Sequence, residues 1–178
     1  MLFTKALRET VGTDAEQLVK NAIEGFACRD KDVEYFLKHK VFEFEKRNKS
    51  RTYLILVDEI QNLVAYFTLS LKSLEFRDKL SKGKIKDIDG FSKKVQGVAI
   101  ALIGQFGKDE TKAKEVSGKD LLGICMDKIY QVHTLIGGRY VLVECHDAEK
   151  VVDFYRVNSF EVLQLDKSDD YLQMIRRL

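Results

Sequence analysis

Apolar residues recur along this chain in two rhythms, every three to four positions in some stretches and nearly every position in others, and the alternation between them predicts the elements. Residues 2–7 form a short first strand. Thr13-Asp14-Ala15-Glu16 has the spacing of a capping box, so a helix starts there and runs to about Gly25. A second helix follows Asp30, with Val33, Phe36, Leu37, Val41 and Phe44 on one face, and ends near Asn48. Residues 51–57 are rich in β-branched and aromatic side chains. Asp58-Glu59 and Gln61-Asn62 interrupt them before residues 63–71 resume, which reads as a hairpin. Residues 72–96 are polar and irregular and predict a long surface excursion. The unbroken apolar run 97–104 predicts a strand buried on both faces at the centre of the sheet.

After a polar stretch, 105–115, Ser117-Gly118-Lys119 opens a helix carrying Leu122, Cys125, Ile129, Val132 and Ile136, which Gly137-Gly138 stops. A strand at 140–145, a helix at 147–157 through Val151, Val152 and Tyr155, and strands at 160–165 and 171–175 close the chain. This order predicts an α+β fold with a mixed, mostly antiparallel central sheet and helices on both faces.

The 178 residues are 45% hydrophobic, enough for one sizeable core, so a single domain over residues 1–178 is expected. No proline, repeat or low-complexity block marks a linker. With 30 Lys+Arg against 28 Asp+Glu there is no global field, and any basic surface must be local. Cys28, Cys125 and Cys145 lie in apolar surroundings without metal-ligand spacing, so no metal site is expected and a reducing cytoplasm fits best. The first residues form no signal region, and no run reaches the roughly 20 apolar residues of a membrane span.

A strand, a glycine-bearing turn and a helix start in succession make a sensible anion site, because unpaired N–H groups and the positive end of the helix dipole converge there. The Walker spacing of a nucleotide P-loop is missing, and by itself Ser-Gly-Lys-Asp is more often merely a cap. Read together, however, Gly104-Gln105-Phe106-Gly107, then Ser117-Gly118-Lys119-Asp120-Leu121-Leu122, then Asp153-Phe154-Tyr155-Arg156-Val157-Asn158-Ser159-Phe160 occur in one order. This succession resembles the GNAT superfamily of acyl-CoA N-acyltransferases. Phe26-x-Cys28, Phe36-Leu37, Ser50-Arg51-Thr52-Tyr53, Ala65-Tyr66-Phe67-x-Leu69 and Leu135-Ile136-Gly137-Gly138-Arg139 are similar to its branch of tRNA-acetylating toxins.

The resemblance implies acetyl-CoA as co-substrate, with Gln105, Phe106 and Gly107 along the pantetheine and Ser117, Gly118, Lys119, Asp120, Leu121 and Leu122 around the diphosphate. It implies Tyr155 as general acid toward the departing thiolate; on spacing alone Tyr155 reads as a core aromatic beside Phe154. It also brings tRNA, an antitoxin and a second copy of the chain into view as partners. The sequence departs from the superfamily pattern in four places. Asp120 and Leu122 stand where small residues are usual, Ser159 replaces a glycine, Ala148 stands where many members have asparagine, and four extra residues lengthen the turn before Ser117. A carboxylate facing a diphosphate is repulsive, so either Asp120 turns away or coenzyme binding is weak or lost.

The expected reaction is direct attack of a neutral amine on the thioester carbonyl. Adjacent strand residues point to opposite faces, which argues against Cys145-His146 as a thiol and base. His39 and His133 read as solvent-facing or locally bonded. Without an obvious strong base, α-amino groups are favoured over lysine, their neutral fraction being roughly hundreds of times greater. Lysines and arginines of the 72–94 excursion, with Lys38, Lys40, Lys46, Arg47, Lys49 and Arg51, could contact tRNA phosphates, or could be a solvated surface. Three functions therefore compete: a small-molecule or peptide N-acetyltransferase, a toxin-like enzyme acting on aminoacyl-tRNA, and a non-catalytic binding domain of this fold.

Overall fold

The computed structural model describes residues 1–168 and 170–178. The strands are β1 (Leu2–Ala6), β2 (Arg51–Val57), β3 (Leu63–Glu75), β4 (Gly97–Lys108), β5 (Tyr140–Cys145), β6 (Glu161–Leu165) and β7 (Leu172–Arg177). They hydrogen-bond in the order β1-β2-β3-β4-β5-β7-β6. The helices are α1 (Ala15–Glu24), α2 (Lys31–His39), α3 (Val41–Lys46), α4 (Lys82–Asp89), α5 (Gly118–Ile136) and α6 (Glu149–Val157). Pairing of β4 with β5 is parallel, whereas β1–β2, β2–β3, β5–β7 and β6–β7 are antiparallel. The mixed, mostly antiparallel sheet is as expected, and β4 is its middle strand.

The chain forms two compact units, Met1–Ser70 with Gly104–Cys125, and Leu71–Ile103 with Met126–Leu178. In the first, Val19 and Ile23 of α1, Leu37 of α2 and Val41 of α3 are buried with Leu54, Leu56, Leu63 and Tyr66 of the strands. Phe26 meets Tyr66 edge-on at 5.7 Å, a contact worth about 0.5–1.5 kcal/mol beyond its area. The capping at α1 is the expected one displaced by a residue. Thr13 Oγ1 accepts from Ala15 N–H, and Glu16 reaches back to Gly12 N–H at 2.6 Å. The single helix expected over 31–48 is kinked at Lys40 (φ −121°), although Lys40 N–H still donates to Phe36 O and Lys40 O accepts from Phe44 N–H. Its apolar face survives the kink, with Phe36 and Phe44 edge-on at 4.9 Å.

In the second unit, Leu74, Ile88, Ile100, Tyr140, Leu142 and Ile175 form a separate buried cluster. The excursion expected over 72–96 is shorter than its composition suggests, since β3 continues to Glu75 and α4 occupies 8 residues of the remainder. Asp87 fastens α4, accepting from the Tyr140 hydroxyl and lying 3.4 Å from the Arg177 guanidinium. Gly90 (φ 88°) ends that helix where a Cβ would lie 2.7 Å from Arg139 Cδ. Of residues 97–104, expected to be buried on both faces, only Ile100 and Ile103 are inside; Ala99 and Gly104 are exposed and the others half-buried. No helix among the described residues is long and apolar enough to cross a membrane.

Glu34 ties α2 to the chain entering it: Lys31, the Cys28 N–H and Lys38 all bond its carboxylate and hold its pKa at about 2 rather than 4.5. A depressed carboxyl contributes stability above its unfolded value and loses it as pH falls through the folded one. The urea midpoint gap between the native protein and Glu34→Gln is therefore expected to be constant above about pH 5 and to close toward about pH 2. A gap that does not change over that window would show that this carboxylate is not coupled to folding.

Candidate active site

The end of β4, its turn and the start of α5 belong to the first unit and are held from below. Gln105 N–H donates to Thr68 Oγ1 at 2.9 Å, and Asp109 N–H donates to Val64 O at 2.8 Å. Asp109 is buried, and its carboxylate accepts from Thr111 N–H and Thr111 Oγ1 at 2.9 and 2.6 Å, starting a 3₁₀ turn over Glu110–Lys112. Lys112 Nζ donates to Leu63 O at 3.0 Å, and Lys108 Nζ to Ala113 O at 3.0 Å. The lengthened turn is thus anchored, and it delivers an exposed Ser117 to the helix start.

Ser117 caps α5. Its Oγ accepts from Asp120 N–H at 3.1 Å and donates to the Asp120 carboxylate at 2.6 Å, while its carbonyl accepts from Leu121 N–H at 3.0 Å. The cap thereby uses the Asp120 amide, Leu121 makes the first regular helix bond, and the amides of Gly118 and Lys119 have no partner among the described residues. The Asp120 carboxylate is turned back onto the cap. There it favours the helix dipole by about 0.3–1 kcal/mol and adds one negative charge beside the two unpaired donors. Leu121 and Leu122 bury their side chains with Val116 and Cys125, so only their backbone could face a ligand.

Gly107 is explained by packing. A Cβ there would lie 2.5 Å from Val33 Cγ1, 3.3 Å from Cys28 Sγ and 3.5 Å from Tyr66 Cε1. Cys28 beneath it has its thiol pKa raised, chiefly by burial. Residues 105–107 and 117–122 therefore share one unit, whereas Tyr155 belongs to the other. Tyr155 is buried on α6, edge-on to Phe154 and Phe160 at 5.2 and 5.3 Å. Ser159, where the superfamily has glycine, sits at φ 68°, the left-handed region that glycine enters without penalty.

Cys145 faces Leu172 O and Met174, and burial above all pushes its thiol up to about 11, so it stays protonated at neutral pH. His146 leans instead on the Tyr171 ring at 5.0 Å, as the opposed faces of adjacent strand residues require. His39 lies against Tyr35. His133 differs from expectation, its Nδ1 being buried with no partner among the described residues.

Many of the basic side chains picked out by sequence are engaged within the protein. Lys72 pairs with Glu144, Lys84 with Glu161, Lys38 with Glu34, Arg47 with Glu43 and Arg51 with the buried Glu45, while Lys40 and Lys49 cover the rings of Tyr35 and Phe44. Lys79, Lys82, Lys86, Lys93 and Lys94, all in the second unit, are exposed without a side-chain partner among the described residues.

Comparison with solved structures decides the fold. A bacterial toxin superposes with a TM-score of 0.77 at 12% identity, over 99% of this chain and 90% of that one. The chain has the GNAT fold. Other GNAT-fold neighbours are AtaT complexed with acetyl-methionyl-tRNAfMet (TM-score 0.72, 18% identity, 97% of this chain and 94% of that one) and a tyrosine-to-phenylalanine mutant of KacT (0.72, 21%, 97% and 93%). AtaT also occurs as AtaTR bound with acetyl-CoA. No family model and no curated protein sequence matches the chain.

Gly107→Ala is expected to destabilise the protein by about 1–3 kcal/mol through overpacking. Val33→Ala in the same chain should recover part of that loss, because it removes the atom that the new Cβ meets. Additive effects of the two substitutions in urea unfolding would place the strain elsewhere.

Proposed function

We propose that this chain is an N-acetyltransferase that takes acetyl-CoA as co-substrate and passes the acetyl group to a primary amine by direct attack. The observation that carries the reading is a GNAT-fold helix start with two unpartnered amides, Gly118 and Lys119, directly following a strand and an anchored turn. Those amides and the Lys119 ammonium suit a diphosphate, and the edge of β4 at 104–107 suits the pantetheine arm. The Asp120 charge opposes this by about 1 kcal/mol at a separation of 4 Å in water. That is comparable to its gain from the helix dipole and small beside a diphosphate's bonds to two amides and a cation, so binding is weakened and not abolished.

In the proposed reaction the amine nitrogen attacks the thioester carbonyl carbon, the C–S bond breaks and the thiolate leaves. Tyr155 supplies the thiolate's proton from its phenol and regains one from solvent, while the amine's proton passes to solvent. No covalent enzyme intermediate is required. The test is release of free thiol from acetyl-CoA across aminoacyl-tRNAs, polyamines and peptides. Tyr155→Phe is expected to bind acetyl-CoA as the native protein does and to lose on the order of a hundredfold or more in turnover. Unchanged single-turnover acetylation would remove Tyr155 from the mechanism. Failure of acetyl-CoA to bind at millimolar concentration would leave a GNAT-fold binding domain and sink the enzyme reading.

The AtaT complex favours a more specific acceptor, the α-amino group of an aminoacyl-tRNA, with an antitoxin as the partner protein. An α-amino group suits a site without a strong base, and Lys79, Lys82, Lys86, Lys93 and Lys94 are available for phosphates. Affinity for aminoacyl-tRNA is then expected to fall steeply and linearly on a log–log plot against salt. Replacing Lys93 and Lys94 by alanine should flatten the slope by up to about two units. Binding insensitive to salt would return the acceptor to small amines and peptides.

A further inference from the structure

A side chain of β3 holds a backbone amide of β4. Asp109 N–H, just past the end of β4, donates to the Val64 carbonyl on β3. Four residues back along β4 and four forward along β3, the same register would bring Gln105 N–H to the Thr68 carbonyl. Gln105 N–H donates to the Thr68 hydroxyl, at 2.9 Å. Thr68 is buried and Gln105 half-buried, so this bond is partly shielded from water. Gln105 Oε1 is itself buried with no partner among the described residues.

A peptide unit is planar, with its N–H and C=O pointing opposite ways. Fixing Gln105 N–H toward β3 therefore fixes the Gly104 carbonyl toward the opposite edge of β4, at an exposed residue. We infer that Thr68 is a positioning residue: its hydroxyl orients the Gly104–Gln105 peptide so that the Gly104 carbonyl accepts an amide N–H of the coenzyme's pantetheine arm, an assignment that rests on the coenzyme reading above. Thr68 does not touch the coenzyme in this arrangement. Removing the hydroxyl takes this acceptor from the half-buried Gln105 N–H, and the peptide turns to find another, carrying the carbonyl with it.

The experiment compares native protein, Thr68→Val, Thr68→Ala and Thr68→Ser by calorimetric titration with two ligands, acetyl-CoA and an adenosine bisphosphate that lacks the pantetheine arm. Thr68→Val is expected to lose about tenfold in affinity for acetyl-CoA. Affinity for the adenosine bisphosphate should change less than about twofold, and Thr68→Ser, which keeps the hydroxyl, should bind both ligands like the native protein. Thr68→Ala, which removes the hydroxyl without adding a methyl, is read in the same way and decides the matter if the valine variant does not fold. Equal losses for both ligands, or no loss for either, would overturn the role of Thr68 and leave the coenzyme reading intact. Native protein that binds no acetyl-CoA would overturn the coenzyme reading and this inference together.

Discussion

Every amide of a buried strand has to be satisfied, and a rigid peptide plane links what a strand does on one edge to what it offers on the other. In this chain that constraint acts at the end of β4. A threonine hydroxyl on β3 takes the Gln105 N–H, the Val64 carbonyl takes the Asp109 N–H, and between them Gly107 is pressed so close to Val33 that no side chain fits. The strand end is thereby held from the core. The turn after it inherits this rigidity through the buried Asp109 and through Lys112, and so does the helix start that the turn delivers.

Charge is spent locally in the same way. Ser117 and Asp120 satisfy each other across the first turn of α5, which stabilises the helix and leaves two amides for a ligand with a carboxylate nearby. Many lysines and arginines close internal pairs, Lys72 with Glu144 at 2.6 Å among them. Lys79, Lys82, Lys86, Lys93 and Lys94 around α4 remain exposed, as do Lys46, Lys114, Lys119 and Lys150 elsewhere. A count of charges along the chain thus overstates how many are free to meet a partner.

Much of the fold was legible because burial imposes its own period. The strand at 140–145 and the helix opening after Ser117 stand where the pattern puts them, since β5 is almost wholly buried and α5 alternates buried and exposed positions at helical spacing. Elements that bury little were not legible. Helix α4 buries only Ile88, so its composition reads as loop. The last four residues of β4, Gln105 to Lys108, mix polar side chains with a glycine and reveal themselves as strand only through their partner β3. The kink at Lys40 leaves no trace because the apolar face continues across it. In the candidate site, the serine cap could be read from the sequence, and the burial of Leu121 and Leu122 follows from helical spacing. The direction of the Asp120 side chain could not. Thr68 gave no signal at all, because a threonine within an apolar strand is ordinary β-former chemistry.

The anchored turn between β4 and α5 also bears on kinship. Closing a longer surface loop costs little entropy, and here both ends are pinned independently, one by the Asp109 and Lys112 bonds and the other by the serine cap. Residues can accumulate in the middle without displacing either the strand or the helix, so the interval separating them drifts freely over descent. The shape of such a chain is compatible with very different sequences, as a superposition over 99% of its length at 12% identity illustrates.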